Sequence, residues 1–137
     1  MKQFKVKIKS VLVNNDQLLI VKRWYDDRIV KPYQWEFIDG DLNFGETPED
    51  AAERLVREQT QIEVSDAKLL YTWSYTVGDV CYVGICFGFN CVNREVFLSE
   101  ELIEYYWADR RELNDSEHPM NEKVILDVLA NSGGFIE

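Results

Sequence analysis

The chain has 137 residues, 46% of them hydrophobic and 29% charged, a profile that excludes a disordered chain and suits one compact domain with a real core. No apolar run reaches the length of a membrane span. A formal net charge of −10 argues against a surface that coats nucleic acid or anionic membrane, because both need basic faces. The opening MKQFKVKIKS alternates like a strand and lacks the basic-then-apolar order of a signal peptide, so the expected compartment is the cytosol.

In chain order, residues 5–13 and 17–22 read as two strands around the turn Asn14-Asn15-Asp16. Residues 23–33 are polar and aromatic and read as a loop, followed by a short strand over 34–38 that runs into a loop at Gly40. The next element is the best signalled. Thr47 suits an N-cap, Pro48 the first helical position, and Asp50 imitates a capping box. Ala51, Ala52, Leu55 and Val56 then form an apolar stripe at helical spacing. Residues 62–64 read as a short strand. Residues 69–76 and 80–92 read as long strands joined at Val77-Gly78-Asp79, and 101–113 as a segment anchored by Trp107. A closing helix is expected over 119–129, with Val124, Ile125, Val128 and Leu129 on one side and Gly133-Gly134 beyond it. The single His118 leads into that helix.

Three cysteines, Cys81, Cys86 and Cys91, form no CxxC pair and accompany one histidine, which argues against zinc. Cys81 and Cys91 share parity with Val83, Ile85, Phe87 and Phe89, so both are expected as small core residues on one strand face. The odd number argues against a full disulfide framework.

The densest chemistry lies at Gly40–Ile62. A helix places positions 55, 58 and 59 on one face, so Leu55, Glu58 and Gln59 project together. Glu46 precedes a helix N-terminus whose free N–H groups favour anions. Gly40 and Gly45 let the backbone bend close to a ligand, and Asp39 and Asp41 bracket Gly40. Together these features suit a metal-bound phosphate. A solvated acidic helix face produces the same pattern.

The stretch WEFIDGDLNFGETPEDAAERLVREQTQI, residues 35–62, resembles the Nudix box. That motif runs glycine, five residues, glutamate, seven residues, Arg-Glu, aliphatic, any residue, Glu-Glu, any residue, glycine, aliphatic. Gly40, Glu46, Arg54, Val56, Glu58 and Ile62 fall in register, whereas Leu55, Gln59 and Gln61 replace two glutamates and the final glycine. Residues 18–23 are similar to the family's second strand, and 101–107 to a segment with glutamates before a tryptophan. The resemblance spans roughly residues 5–113.

It implies a single Nudix-like domain over 1–137, an α/β/α sandwich with a mixed β-sheet between helices. It also implies Mg²⁺ or Mn²⁺ and cleavage of a diphosphate linkage in a nucleoside diphosphate derivative or nucleoside triphosphate. Glu58, Glu46 and Arg54 match catalytic positions, with Arg54 bracing Glu46. Arg23, Gly40 and Gly45 match substrate-binding positions. Glu58, Gln59, Asp39 and Glu104 are the implied metal ligands, Asp39 standing where the family's glycine offers its carbonyl. Leu55 can neither ligate nor act as a base, Gln59 brings no charge to a cation that favours carboxylates, and loss of a positioned base typically costs ~10²–10⁴ in rate. The expected function is hydrolysis by a reduced or relocated site, with Asp39, Asp41 and Glu104 as replacement acids. The alternative is a catalytically inactive Nudix domain that binds a nucleotide or a protein. With Gln61 in place of glycine, the helix exit is expected to differ or to be strained. Trp24, Tyr25, Tyr33, Trp35, Tyr71 and Trp73 are candidates for stacking on a base or for packing in the core. Long antiparallel strands are consistent with a homodimer.

Overall fold

The computed structural model describes residues 1–24 and 34–133. Strand β1 (Gln3–Asn14) and β2 (Gln17–Arg23) form a hairpin. Its turn residues Asn15 and Asp16 have φ of 48° and 62°, the left-handed pair that a tight hairpin turn needs and that Asn and Asp tolerate. The segment expected as one strand over 34–38 is two pieces, β3 (Trp35–Glu36) and β4 (Ile38–Asp41). Helix α1 (Pro48–Thr60), β5 (Lys68–Val77), β6 (Val80–Asn90), β7 (Leu102–Ala108), a 3-10 turn at Arg110–Glu112 and helix α2 (Glu122–Asn131) complete the order.

The sheet runs β3-β2-β1-β6-β5, with β4 also paired to β1 and β7 to β2. It is mixed. β1 runs parallel to β6 from Gln3↔Val80 to Val13↔Asn90, and the other pairings are antiparallel. The second edge of β1 is divided: Lys7–Ser10 face β4, whereas Val13 and Asn14 face β2. Period-2 alternation sends Ile8 and Leu12 into a core with Ala51, Ala52, Leu55 and Val56 of α1. Val11 and Val13 enter a second core with Ile125 and Val128 of α2. A helix thus covers each face, the α/β/α sandwich expected from the resemblance. Among the described residues no helix is long and apolar enough to cross a membrane.

Several local expectations are corrected. Residues 62–64 form no strand; Ile62 is buried but pairs with no neighbour, and the chain crosses to β5 as an irregular link. Asp39 and Gly40 lie within β4, opposite Lys9 and Ile8, rather than in a loop. Cys91 and Cys86 are buried, but Cys81 is only half-buried because Phe4, its partner on β1, is itself exposed at that end of the sheet. The closing helix starts at Glu122, capped by the Asn121 side chain, which accepts from the Val124 N–H at 3.2 Å. Tyr25, Tyr33 and the rest of the 25–33 loop lie outside the described residues.

Helix α1 ends as the sequence does not favour. Thr47 caps its start, accepting from the Asp50 N–H at 3.1 Å. Its end is left-handed: Gln61 has φ 62° and ψ 15°, and its N–H donates to the Arg57 carbonyl at 2.9 Å. The turn that glycine makes freely is imposed here on a side chain with a Cβ. Left-handed backbone costs about 1–2 kcal/mol per non-glycine residue. Replacing Gln61 with Gly is therefore expected to raise stability by about 1 kcal/mol, seen in urea unfolding as a higher midpoint at constant slope. An unchanged or lower midpoint contradicts the strain.

Candidate functional site

The segment from β4 to α1 is held by Arg54. Its Nε donates to Glu46 Oε2 at 2.8 Å, and Nη2 to the Asp41 carbonyl at 2.7 Å and Glu46 Oε1 at 3.1 Å. Nη1 reaches Glu58 at 3.2 Å. The Asn43 N–H donates to Glu46 Oε1 at 3.1 Å, closing the loop on itself. Gly45 has φ 81°, the left-handed bend the turn requires. The hydrogen bond from Arg54 holds the Glu46 carboxyl below its ordinary range. The structure therefore brings Glu46, Arg54 and Glu58 together, with Glu58 on the solvent side of the brace and its side chain 56% exposed.

The face expected to gather metal is differently occupied. Leu55 is buried and lies on Gly40, where an added Cβ would sit 2.4 Å from Leu55 Cδ2. Gly40 thus gives the leucine its space. Gln59 is buried, and its Nε2 donates to the Asp39 carbonyl at 2.9 Å. Its Oε1 is buried with no hydrogen-bond partner among the described residues. Glu104 lies across from Lys22 in the β2–β7 pairing and is exposed, on a different strand from the β4–α1 junction. Asp41 pairs with Lys7 at 2.6 Å. Among the described residues, no group of three or more His, Cys, Asp or Glu is placed to hold a metal ion. Mg²⁺ and Mn²⁺ want several converging oxygens, carboxylates above all. This junction presents one neutral amide, its N–H spent on Asp39 and its oxygen alone, a leucine and a carboxylate already engaged by arginine, too few converging charged oxygens to fit the ion the resemblance implies.

Asp39 instead belongs to a cluster around Arg23. A β-bulge between Lys22 and Arg23 shifts the pairing so that Arg23 opposes Leu102, which re-aims its side chain. The guanidinium donates through Nε to Glu36, through Nη2 to Asp39 Oδ1 at 2.9 Å and, at 3.4 Å, to the Asp39 carbonyl. Glu101 lies 3.5 Å from Nη1. Desolvation pushes the Glu36 carboxyl up to about 7, and repulsion from Asp39 adds to the rise, with Arg23 opposing both. Glu36 was not singled out in the sequence. The signal was its place between Trp35 and Phe37, both buried.

A cleft opens between the sheet and α2. One part, about 290 Å³, is lined by Lys9, Tyr71, Trp73, Tyr75, Asn121 and Lys123 among others. An adjoining part of about 220 Å³ shares Lys9 and Asn121 and reaches Trp35, Glu36 and Asp39. Gly84 opposes Trp73, and a Cβ there would lie 2.0 Å from the indole, so glycine lets the ring lie flat on the sheet. Tyr75 and Tyr82 stack beside it at 4.9 Å. Lys9 is 8% exposed, with Nζ 4.9 Å from the Trp73 ring centroid. Lys9 too escaped sequence reading, although its parity with Val11 and Val13 assigns it to their buried face.

The comparisons agree with this architecture. A family model described as NUDIX domain matches residues 4–128. The chain belongs to the Nudix family. It is similar to the nucleoside triphosphatase NudI of Escherichia fergusonii, with 31% identity over 114 residues covering 74% of this chain and 80% of that protein. NudI of Escherichia coli O139:H28 is 30% identical over 113 residues, with the same coverage. In structure, this Nudix chain resembles a MutT protein from Methanosarcina mazei Go1 at a TM-score of 0.80 and 19% identity, covering 97% and 96% of the two chains. It also resembles a UDP-X diphosphatase at 0.74 and 16%, covering 95% and 63%.

The Arg23 cluster gives this Nudix domain a pH signature. Glu36 rises from 4.5 to about 7 on folding, so the folded state binds its proton more tightly than the unfolded state. Its contribution to stability is full below about pH 4.5 and is lost as pH rises through about 7. With 35% of the side chain exposed, solvent moderates the effect. The urea midpoint is expected to fall across that window, and the Glu36→Gln variant to show a flatter profile. Parallel profiles for both proteins contradict the assignment.

Proposed function

We propose that this Nudix chain, acting as one domain, binds a nucleoside di- or triphosphate, or a related nucleoside diphosphate derivative, in the cleft between the sheet and α2. In this reading the hydrolytic chemistry of its box is suppressed. The observation that carries it is Lys9, a nearly buried ammonium over Trp73 in a cleft walled by aromatic rings. A nearly buried cation is costly unless something anionic or strongly accepting meets it. Flat aromatic faces beside it suit a stacked base. Lysine donates only, so beside the Glu36 carboxyl, whose charged form it already favours, it suits a phosphate oxygen or a base carbonyl. The nucleoside triphosphatase names of the relatives support the same ligand class. Against turnover stand Leu55 packed on Gly40 and the Gln59 amide bonded to the Asp39 carbonyl, positions where a hydrolase needs acids.

One observation favours a second reading, hydrolysis by a relocated base. Glu36 titrates near neutrality and lines the cleft together with Asp39, as a general base should.

Calorimetry with nucleoside mono-, di- and triphosphates and nucleotide sugars tests the first reading. Lys9→Met is expected to weaken the tightest ligand at least tenfold, about 1.4 kcal/mol, while thermal stability holds or rises as a nearly buried charge disappears. Absence of binding across the panel, or equal binding by the variant, overturns the proposal. Phosphate and pyrophosphate release from the same panel, with and without Mg²⁺ and Mn²⁺, separates the two readings. Turnover that Glu36→Gln abolishes establishes the second. Silence in the natural chain, with activity gained by Leu55→Glu plus Gln59→Glu, establishes that hydrolysis at the box is suppressed, as the first reading requires.

A further inference from the structure

We infer that internal donors, the Gln59 amide and the Arg23 guanidinium, close the junction between β4 and α1 where a cation would otherwise join carbonyl and carboxylates, so the domain keeps its shape without divalent metal. The inference goes beyond the nucleotide reading and does not depend on it.

The Asp39 carbonyl is the acceptor shared by both donors. It accepts from Gln59 Nε2 at 2.9 Å and from Arg23 Nη2 at 3.4 Å. An ionised glutamate at position 59 offers only acceptors, so it would face this carbonyl oxygen to oxygen and need a cation, or its own protonation, between them. The amide turns that contact into a direct hydrogen bond. Gln59 Oε1 has no partner among the described residues, and the side chain is held by the bond from its Nε2 to Asp39. Arg23 supplies the positive charge. It joins Glu36, Asp39 and Glu101, and a guanidinium stays charged at any working pH and holds carboxylates with a planar fork. Leu55 completes the closure by filling the space over Gly40. Two donors and an apolar plug thus occupy one junction.

The test is thermal unfolding of the whole chain, free of nucleotide, in EDTA and in excess Mg²⁺ or Mn²⁺, with Mn²⁺ binding followed by electron paramagnetic resonance. The natural chain is expected to melt at one temperature in all three buffers and to leave Mn²⁺ free. Gln59→Glu is expected to melt lower in EDTA by roughly 5 °C and to recover with Mn²⁺. Arg23→Met, which uncovers Glu36, Asp39 and Glu101, is expected to melt lower and to gain Mn²⁺ binding; Arg23→Gln, which also removes the charge, serves if it does not fold. The inference is overturned if metal stabilises the natural chain or one Mn²⁺ binds it stoichiometrically. It is equally overturned if Gln59→Glu melts like the natural chain in EDTA, or melts lower and is not rescued. Because no nucleotide is present, these results stand whatever the cleft binds.

Discussion

The parallel pairing of β1 with β6 is the constraint from which the rest of the molecule follows. It fixes β1 along eleven successive partners, from Gln3↔Val80 to Val13↔Asn90, and so leaves only its other edge to be shared. That edge is divided between β4 and β2. The division places β4 against the middle of the sheet, with Gly40 under α1 and Asp39 at the end of α1 where Gln59 projects. It also fixes which side chains of β1 meet which helix. Ser10 donates to the Ala52 carbonyl of α1 at 3.0 Å, while Lys9, one residue earlier, faces the cleft beneath α2. A shift of one residue in this pairing would exchange the two faces and empty the cleft of its cation.

Most of the framework was legible because local signals agreed with one another. The Asn15-Asp16 turn, the Thr47-Pro48 helix start and the long alternating strands each had a physical cause readable from the residues themselves. The misses arose where distant packing decided. Nothing near Gly40 in sequence announced that the missing Cβ was reserved for Leu55, fifteen positions later. The role of Arg23 depended on a bulge, and a bulge depends on the partner strand as much as on the bulged one. Gln61 was recognised as an unfavourable residue for a left-handed exit, and the exit is left-handed all the same. The Arg57 carbonyl and the buried Ile62 that follows hold it there, so tertiary structure overrides local preference.

The two ends of the box follow different physical rules. Glu46, Arg54 and the Asp41 carbonyl form a closed set of hydrogen bonds within the protein. Their geometry is needed for the fold whether or not anything is bound. Positions 55 and 59 carry an apolar side chain and an amide, engaged by Gly40 and the Asp39 carbonyl. A charged acid at Leu55 would be buried against hydrocarbon, where an unpaired carboxylate is strongly unfavourable. Scaffold residues and ligand residues can therefore sit on adjacent turns of one helix and respond to entirely different demands.

The contact between Leu55 and Gly40 carries a consequence for how this sequence can change. An acid placed at position 59 alone sets two oxygens against each other. One placed at position 55 alone drives a charge into a space shaped for a leucine. Each substitution alone therefore meets a different physical obstacle, one electrostatic and one steric. The packing of one leucine on one glycine ties what position 55 can tolerate to a missing Cβ fifteen residues away.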